Sequence, residues 1–249
     1  NKILLPFYGE QRIIDILSEE NIMRKLGTTI TTSGQHKINI AATKPAAAWI
    51  EEGGALQFSD ATFSQILLDA HKLHVAIKIT EELLYDNAFN LESYIVTEFG
   101  KAIANAEEDA FLNGDGTGKP LGLFAKTGGG TKAASTDAPT ADDFIALIYA
   151  LKRPYRKNAS FIINDKNIAL LRQLKDNNGV YMWQPSVQVG EPDTFLGYKL
   201  YTSQFAPTNA IAFGDYRYYN IGDRGTRSWQ ELRELFAGNG MIAYVAKER

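Results

Sequence analysis

The 249-residue chain contains no cysteine. That single absence removes disulfides, thiolate zinc sites, iron–sulfur clusters and cysteine nucleophiles together. Histidine is nearly absent as well: His36, His71 and His74 leave little material for imidazole chemistry. An excess of one charge is also missing, since 26 Lys and Arg face 29 Asp and Glu for a net −3. The basic footprint that marks a chain built around nucleic acid is therefore not there. No apolar run approaches the roughly 18 residues that read as a bilayer-spanning helix. What is present, 45% hydrophobic and 22% charged residues, is the composition of an ordinary globular protein. The expectation is a soluble, intracellular protein of one large or two small domains, poorly equipped for catalysis. The chain begins at Asn1 and stops at Arg249, just after the strand-like run 241–246. An upstream segment removed by processing and a short missing C-terminal tail are expected.

Hydrophobic spacing sets out the organisation. Ile13, Ile14, Ile16, Leu17, Ile22, Met23 and Leu26 recur at helical intervals, predicting a helix over 11–25 that Gly27 closes through its freedom at positive φ. Lys37–Ile40 alternates, Pro45 breaks the run, and Glu51–Gly54 has the composition of a tip. Thr62–Ile79 then runs 18 residues without Gly or Pro and is β-rich throughout. As one strand it would be roughly 60 Å long, against a diameter of roughly 46 Å for a compact chain of this size. Such a strand must bend or project, and with the earlier alternating stretch it predicts a long protruding hairpin. Its apolar residues Trp49, Ile50, Leu56, Phe58 and Phe63 then need partners outside their own domain.

A long helix is predicted over 91–112, about 33 Å from end to end, capped by Asn90. Its apolar stripe comprises Leu91, Ile95, Phe99, Ala102, Ile103, Ala106, Ala110 and Phe111. Asn113–Pro120, with three glycines and a proline, ends it. Residues 126–139 read as a linker. Beyond it, Thr140 with Asp143 forms a capping-box start for a helix over 141–152. A buried strand at 159–163, a helix through Leu174, and short strands at 181–183, 199–202, 210–213 and 216–221 complete an α+β pattern with two lobes and one arm.

Each motif that could carry chemistry has a plainer reading. Gly114–Lys119 has the glycines and lysine of a phosphate loop, but the spacing is short, Pro120 follows the lysine, and the loop leaves a helix instead of opening one. It reads as a helix-terminating turn. Asn113, Asp115 and Thr117 have calcium-loop spacing, yet Phe124 stands where a bidentate glutamate should close the site. His71 and His74, three apart on a strand, point to opposite faces. Glu51–Glu52 and Glu81–Glu82 are neighbours that do not converge on one atom, and read as solvated charge. Lys152, Arg153, Arg156 and Lys157 flank a tyrosine; they fit either a phosphate contact or cations at a helix C-terminus.

Taken in order, several segments carry a resemblance. They are Ala48–Gly53 with the alternating run into Ile79–Asp86, then Leu91–Ile95, and the helix end Glu107–Pro120. Leu174–Trp183, Phe195–Lys199 and Ile211–Asp215 follow. Over nearly its whole length the chain resembles the HK97-type major capsid proteins of tailed bacteriophages and prophages. The resemblance implies an α+β, HK97-like fold. Its peripheral domain would comprise residues 1–31, 67–135 and 229–249, with the spine helix at 91–112. An extended hairpin loop would take up 32–66 and an axial domain 136–228.

It implies a structural, non-enzymatic protein without cofactor or metal, self-assembling through pentamers and hexamers into an icosahedral shell around phage DNA. Its place would be the virion, after assembly in the bacterial cytoplasm and away from membranes. A scaffolding segment, a maturation protease and a portal are implied partners. Some members crosslink Lys to Asn near the hairpin tip; here Leu56 stands at roughly that place, and Lys44 and Lys72 lie down the stems, which argues against crosslinking. Trp49, Ile50, Glu51, Glu52, Leu56 and Phe58 are the candidate assembly contacts. Lys152, Arg153, Arg156 and Lys157 are the candidate weak, sequence-independent DNA contact. Two other readings stay open: an encapsulin-like compartment around a cargo enzyme, and a small α+β enzyme using Glu51 or Asp115.

Overall fold

The computed structural model describes residues 21–41, 47, 49–50, 63–85, 91–132, 140–173, 175, 179, 181, 183 and 193–249. Along them run α1 (Ile22–Leu26), β1 (Thr28–Thr32), β2 (His36–Ala41), β3 (Phe63–Leu68), β4 (Leu73–Thr80), α2 (Glu81–Tyr85) and α3 (Leu91–Asn113). There follow α4 (Ala141–Ala150), α5 (Arg153–Arg156), β5 (Ser160–Ile163), α6 (Asp165–Gln173), β6 (Thr194–Phe195), β7 (Tyr198–Thr202) and β8 (Ala212–Gly214). The chain closes with β9 (Asn220–Arg224), β10 (Ser228–Leu232) and β11 (Met241–Glu248).

Among the described residues, three apolar clusters hold most of these elements, but neither β2 nor β3. In the first, α3 lies against the antiparallel sheet β10-β11-β4. Ile95, Val96, Phe99, Ile103 and Ala104 of the helix meet Ile79, Ile242, Tyr244 and Ala246 of the sheet. Trp229 covers one side, edge-on to Phe99 at 5.2 Å and stacked on Tyr244 at 5.6 Å. In the second, α4 and α6 pack on the sheet β6-β7-β5-β8 through Phe144, Ile148, Phe161, Ile163, Leu171, Trp183, Phe195 and Leu200. Strand β5, buried at every residue, pairs parallel to β7 and antiparallel to β8. Two-residue alternation sends Phe161 and Ile163 into this cluster and Ile162 into the third. That third cluster joins the others, bringing Met23 of α1, Phe111 and Leu112 of α3, and Tyr216 and Ile221 around Ile162. Strand β1 pairs parallel to β9 beside it. A segment assigned by sequence to the first domain thus shares a sheet with one assigned to the axial domain.

Several sequence expectations are corrected here. The run 62–79 is not one strand: it breaks at residues 69–72 into β3 and β4, which belong to different sheets. At the break the Asp69 carboxylate accepts the Ala70 N–H at 2.8 Å, a local bond that competes with the ladder. Of the helix expected over 11–25, residues 11–20 lie outside the described set; Asn21 is extended and caps α1 by accepting the Arg24 N–H. Gly27 ends α1 at negative φ. Its smallness matters instead, because a Cβ there would stand 2.9 Å from the Met23 carbonyl and 3.0 Å from that of Tyr219.

Tyr216–Tyr218 forms a 3-10 turn before β9, not a strand, because Asp215 caps it by accepting the Arg217 N–H. Along α3 the buried face is rotated from the expected stripe. Ala102 and Ala106 are exposed, and Val96, Ala104, Glu107, Glu108 and Leu112 are buried instead. Other expectations hold with small shifts: α3 runs one residue past its predicted end, and the Thr140–Asp143 capping box opens α4. Of the strand expected at 181–183, Met182 lies outside the described residues; among those described, Tyr181 forms a bridge to Lys175.

Candidate functional site

Two features of the molecule could support a function: the arm β2–β3 and the charged cluster at its root. In the arm, β2 and β3 pair antiparallel from His36 opposite Leu68 to Ala41 opposite Phe63. Paired residues share a face, so Ile38 and Ile66 stand on one side while Asn39 and Gln65 stand on the other. A two-stranded sheet has no third layer to cover it, and the exposures show this. Phe63, Ile66 and Leu67 are all exposed, and Trp49 is fully so, with Ile50 beside it about half exposed. Of the six candidate assembly residues these two are described; Glu51, Glu52, Leu56 and Phe58 lie outside the described residues. At the base, Leu68 turns back over Gly222 of β9.

The arm's root is tied down by charge. The Arg24 guanidinium grips Glu107 of α3 through Nε, at 2.7 Å, and Nη2. It also holds both carboxylate oxygens of Asp223 on β9, each at 2.9 Å, and Glu248 of β11 at 2.9 Å. Arg227 bonds Asp223 at 3.2 Å and Glu248 at 2.9 Å. Next along the spine, Glu108 accepts the Met23 N–H at 3.2 Å, and Asn21 donates to Glu107 at 3.3 Å. Arg24, Glu107 and Glu248 are nearly inaccessible to solvent.

Three carboxylates therefore share two guanidiniums in a desolvated space. Burial pushes Glu107 up to about 8; hydrogen bonding from Arg24 opposes this, and the Glu248 carboxylate adds to it. Burial also raises Glu108, against the hydrogen bonds it accepts. For Arg24 burial works against the charge, but the bonds to Glu107 and Asp223 prevail and raise its pKa. The sequence reading missed this cluster. Its signal was two glutamates in the buried register of the spine helix, four residues on from Ile103 and Ala104.

The other candidates separate. Lys152, Arg153 and Lys157 are exposed at the end of α4. Arg156 is not free for a phosphate: its Nε donates to the Leu151 carbonyl at 2.7 Å, and its guanidinium lies over the Tyr149 ring at 4.8 Å. That is a cation completing a helix C-terminus. Asp115 lies on the open turn after α3, its carboxyl held below the usual range chiefly by the Thr117 N–H. The turn itself is built on close approach, since a Cβ on Gly114 would fall 2.0 Å from the Pro120 carbonyl oxygen. Among the described residues no group of three His, Asp or Glu could hold a metal ion, and no helix is long and apolar enough to cross a membrane.

Comparison with known proteins speaks to family and fold. A family model described as the phage capsid family matches residues 2–249. The major capsid protein of Enterobacteria phage HK97 is 27% identical over 265 residues, covering 99% of this chain and 63% of the relative. That of Klebsiella oxytoca phage phiKO2 is 23% identical, covering 90% and 56%. The chain thus spans about three-fifths of the length of these curated relatives. Among solved structures, the capsid of a native GTA particle computed with C5 symmetry superposes with a TM-score of 0.77 at 26% identity, covering 94% of this chain and 84% of that one. A structure from Mycobacterium phage Cain superposes with a TM-score of 0.68 at 17% identity, over 92% and 82%.

Proposed function

The chain belongs to the phage capsid family and has the HK97-like fold; from that premise we propose that it is the shell-forming part of a major capsid protein. Its work is structural. Copies associate into pentamers and hexamers, these close into an icosahedral shell around phage DNA, and the mature location is the virion, after assembly in the bacterial cytoplasm. The observation that carries the reading is the arm. Phe63, Ile66 and Leu67 of the β2–β3 pair are exposed, as are Trp49 and Ile50, which fall between those strands in sequence. Burying a large apolar side chain is worth about 1.5–3 kcal/mol, so an arm laid on a second copy recovers what the isolated subunit forgoes. Each contact can be weak, because closure makes the later ones effectively intramolecular.

Trp49 and Ile50 are the proposed anchors described here, with Glu51, Glu52, Leu56 and Phe58 continuing the contact toward the tip; aromatic residues are enriched among interface hot spots. Scaffolding segment, maturation protease and portal belong to the same reading. So does a weak DNA contact, narrowed now to Lys152, Arg153 and Lys157. The relatives named above are phage major capsid proteins, which favours this reading over the encapsulin-like alternative. The enzyme alternative loses its described candidate, since Asp115 is a solvated turn carboxylate.

The test is light scattering with negative-stain microscopy across a protein and salt series. Pentamers, hexamers or closed shells are expected. A strictly monomeric species at every condition would overturn the proposal.

A further inference from the structure

The charged cluster sits where the arm leaves the body. Strand β1 follows α1 directly and leads into β2 after residues 33–35. Its hold on the body is its pairing with β9, in which Thr31 stands opposite Asp223. Around that point Thr32 donates to the Asp223 carbonyl, Gly225 donates to the Thr32 carbonyl, and Arg224 reaches the Gly34 carbonyl at 2.9 Å. The side chain of the same Asp223 is half of the bidentate grip of Arg24. One guanidinium therefore ties α1, the spine helix, β9 and β11 together beneath the arm.

We propose that this cluster is a pH-sensitive latch on the arm's root, closed while its carboxylates share one proton and loosened when that proton leaves. The charge count motivates it. Arg24 of α1 and its cap Asn21 bond Glu107 directly; Asp223 of β9 and Glu248 of β11 share the Arg24 guanidinium with it, and Arg227 from the turn before β10 bonds those two carboxylates in turn. Glu108, its neighbour on the spine, adds a further carboxyl, and Tyr219 lies near enough to feel that charge. With one proton the three shared carboxylates match the two guanidiniums; without it an uncompensated negative charge is buried. Glu107 and Glu248 both accept from Arg24 Nη2, and among the described residues Glu248 Oε2 is buried without a hydrogen-bond partner, where a proton held between the two carboxylates would serve it.

The direction follows from linkage. The raised carboxyl is protonated in the folded cluster and ionised in the opened one at neutral pH. Closure is therefore complete below the ordinary carboxylate range and lost as pH rises through about 8. The latch is a property of the subunit and does not rest on the shell reading.

Hydrogen exchange by mass spectrometry on the full chain tests it. Protection in the peptide covering residues 22–32, corrected for intrinsic exchange, is expected to fall about tenfold between pH 7 and pH 9. A peptide from the four-stranded sheet, residues 160–171, serves as the reference. In Glu107→Gln, which keeps the shape without the titration, the ratio stays flat; should that variant not fold, Glu248→Gln gives the same readout. An unchanged ratio in the parent protein, or an equal fall in the variant, would overturn the latch. Shell formation at pH 7, followed separately by scattering, reports on the proposed function independently.

Discussion

The arm and its root are adjacent in the chain and opposite in character. The root brings five charged side chains together, Arg24, Glu107 and Glu248 nearly inaccessible to solvent and Asp223 and Arg227 partly so; the arm holds large apolar side chains out in water. Both arrangements run against the ordinary partition of residues, and each is tolerated for a different reason. Buried charges persist because every guanidinium meets carboxylates in short bonds. The exposed apolar groups sit on a two-stranded ladder held at its base by Leu68 on Gly222, an arrangement that is only marginally stable in water until something packs on it. On the proposed function the root serves subunit stability and the arm association, so substitutions in the two should fail in different ways.

The largest effect on stability is expected from Arg24→Met. It strips one guanidinium from three buried carboxylates, and breaking such a pair from one side costs about 3–5 kcal/mol. A denaturant titration followed by circular dichroism would show the midpoint falling sharply; a midpoint unchanged from the parent would mean that the cluster contributes nothing to the fold. Gly114→Ala should follow, at roughly 1–3 kcal/mol, because its Cβ has no room beside the Pro120 and Ala110 carbonyls. Thr140→Ala removes the capping box of α4, far from both regions, and should cost about 1 kcal/mol. If it weakened association as much as a change in the arm does, the division drawn here would not hold.

What the sequence made legible follows from how local each signal is. The spine helix was readable because its apolar residues recur within four positions; the pairing of β2 with β3 agrees with the expected hairpin, although the single long strand that argued for it is two strands in different sheets. The break at 69–72 was missed because it carries no Gly or Pro; its signal was the strand-poor Asp69, Ala70 and Lys72, and a side-chain bond of Asp69 marks the change of sheet. The root was hidden for a stronger reason. Arg24 meets Glu107, Asp223 and Glu248, which lie 83, 199 and 224 positions away. Glutamates in a helix read as a solvated face until packing shows that they point inward. The 3-10 turn at Tyr216–Tyr218 misled through its aromatic, strand-like composition.

The smallest stability effects belong to exposed groups. Charge reversal at Lys152 and Lys157 should leave the midpoint within about 0.5 kcal/mol of the parent while lowering retention of non-specific DNA at low salt. Unchanged retention would remove the DNA contact. The account's central claim, that the arm is built for a second copy, is tested most directly by Trp49→Ala. Its unfolding and its light scattering should be measured beside the parent protein at matched concentrations. The prediction is an unfolding midpoint indistinguishable from the parent, with assembly that is lost or needs a much higher concentration. A variant that forms shells as readily as the parent would contradict the claim.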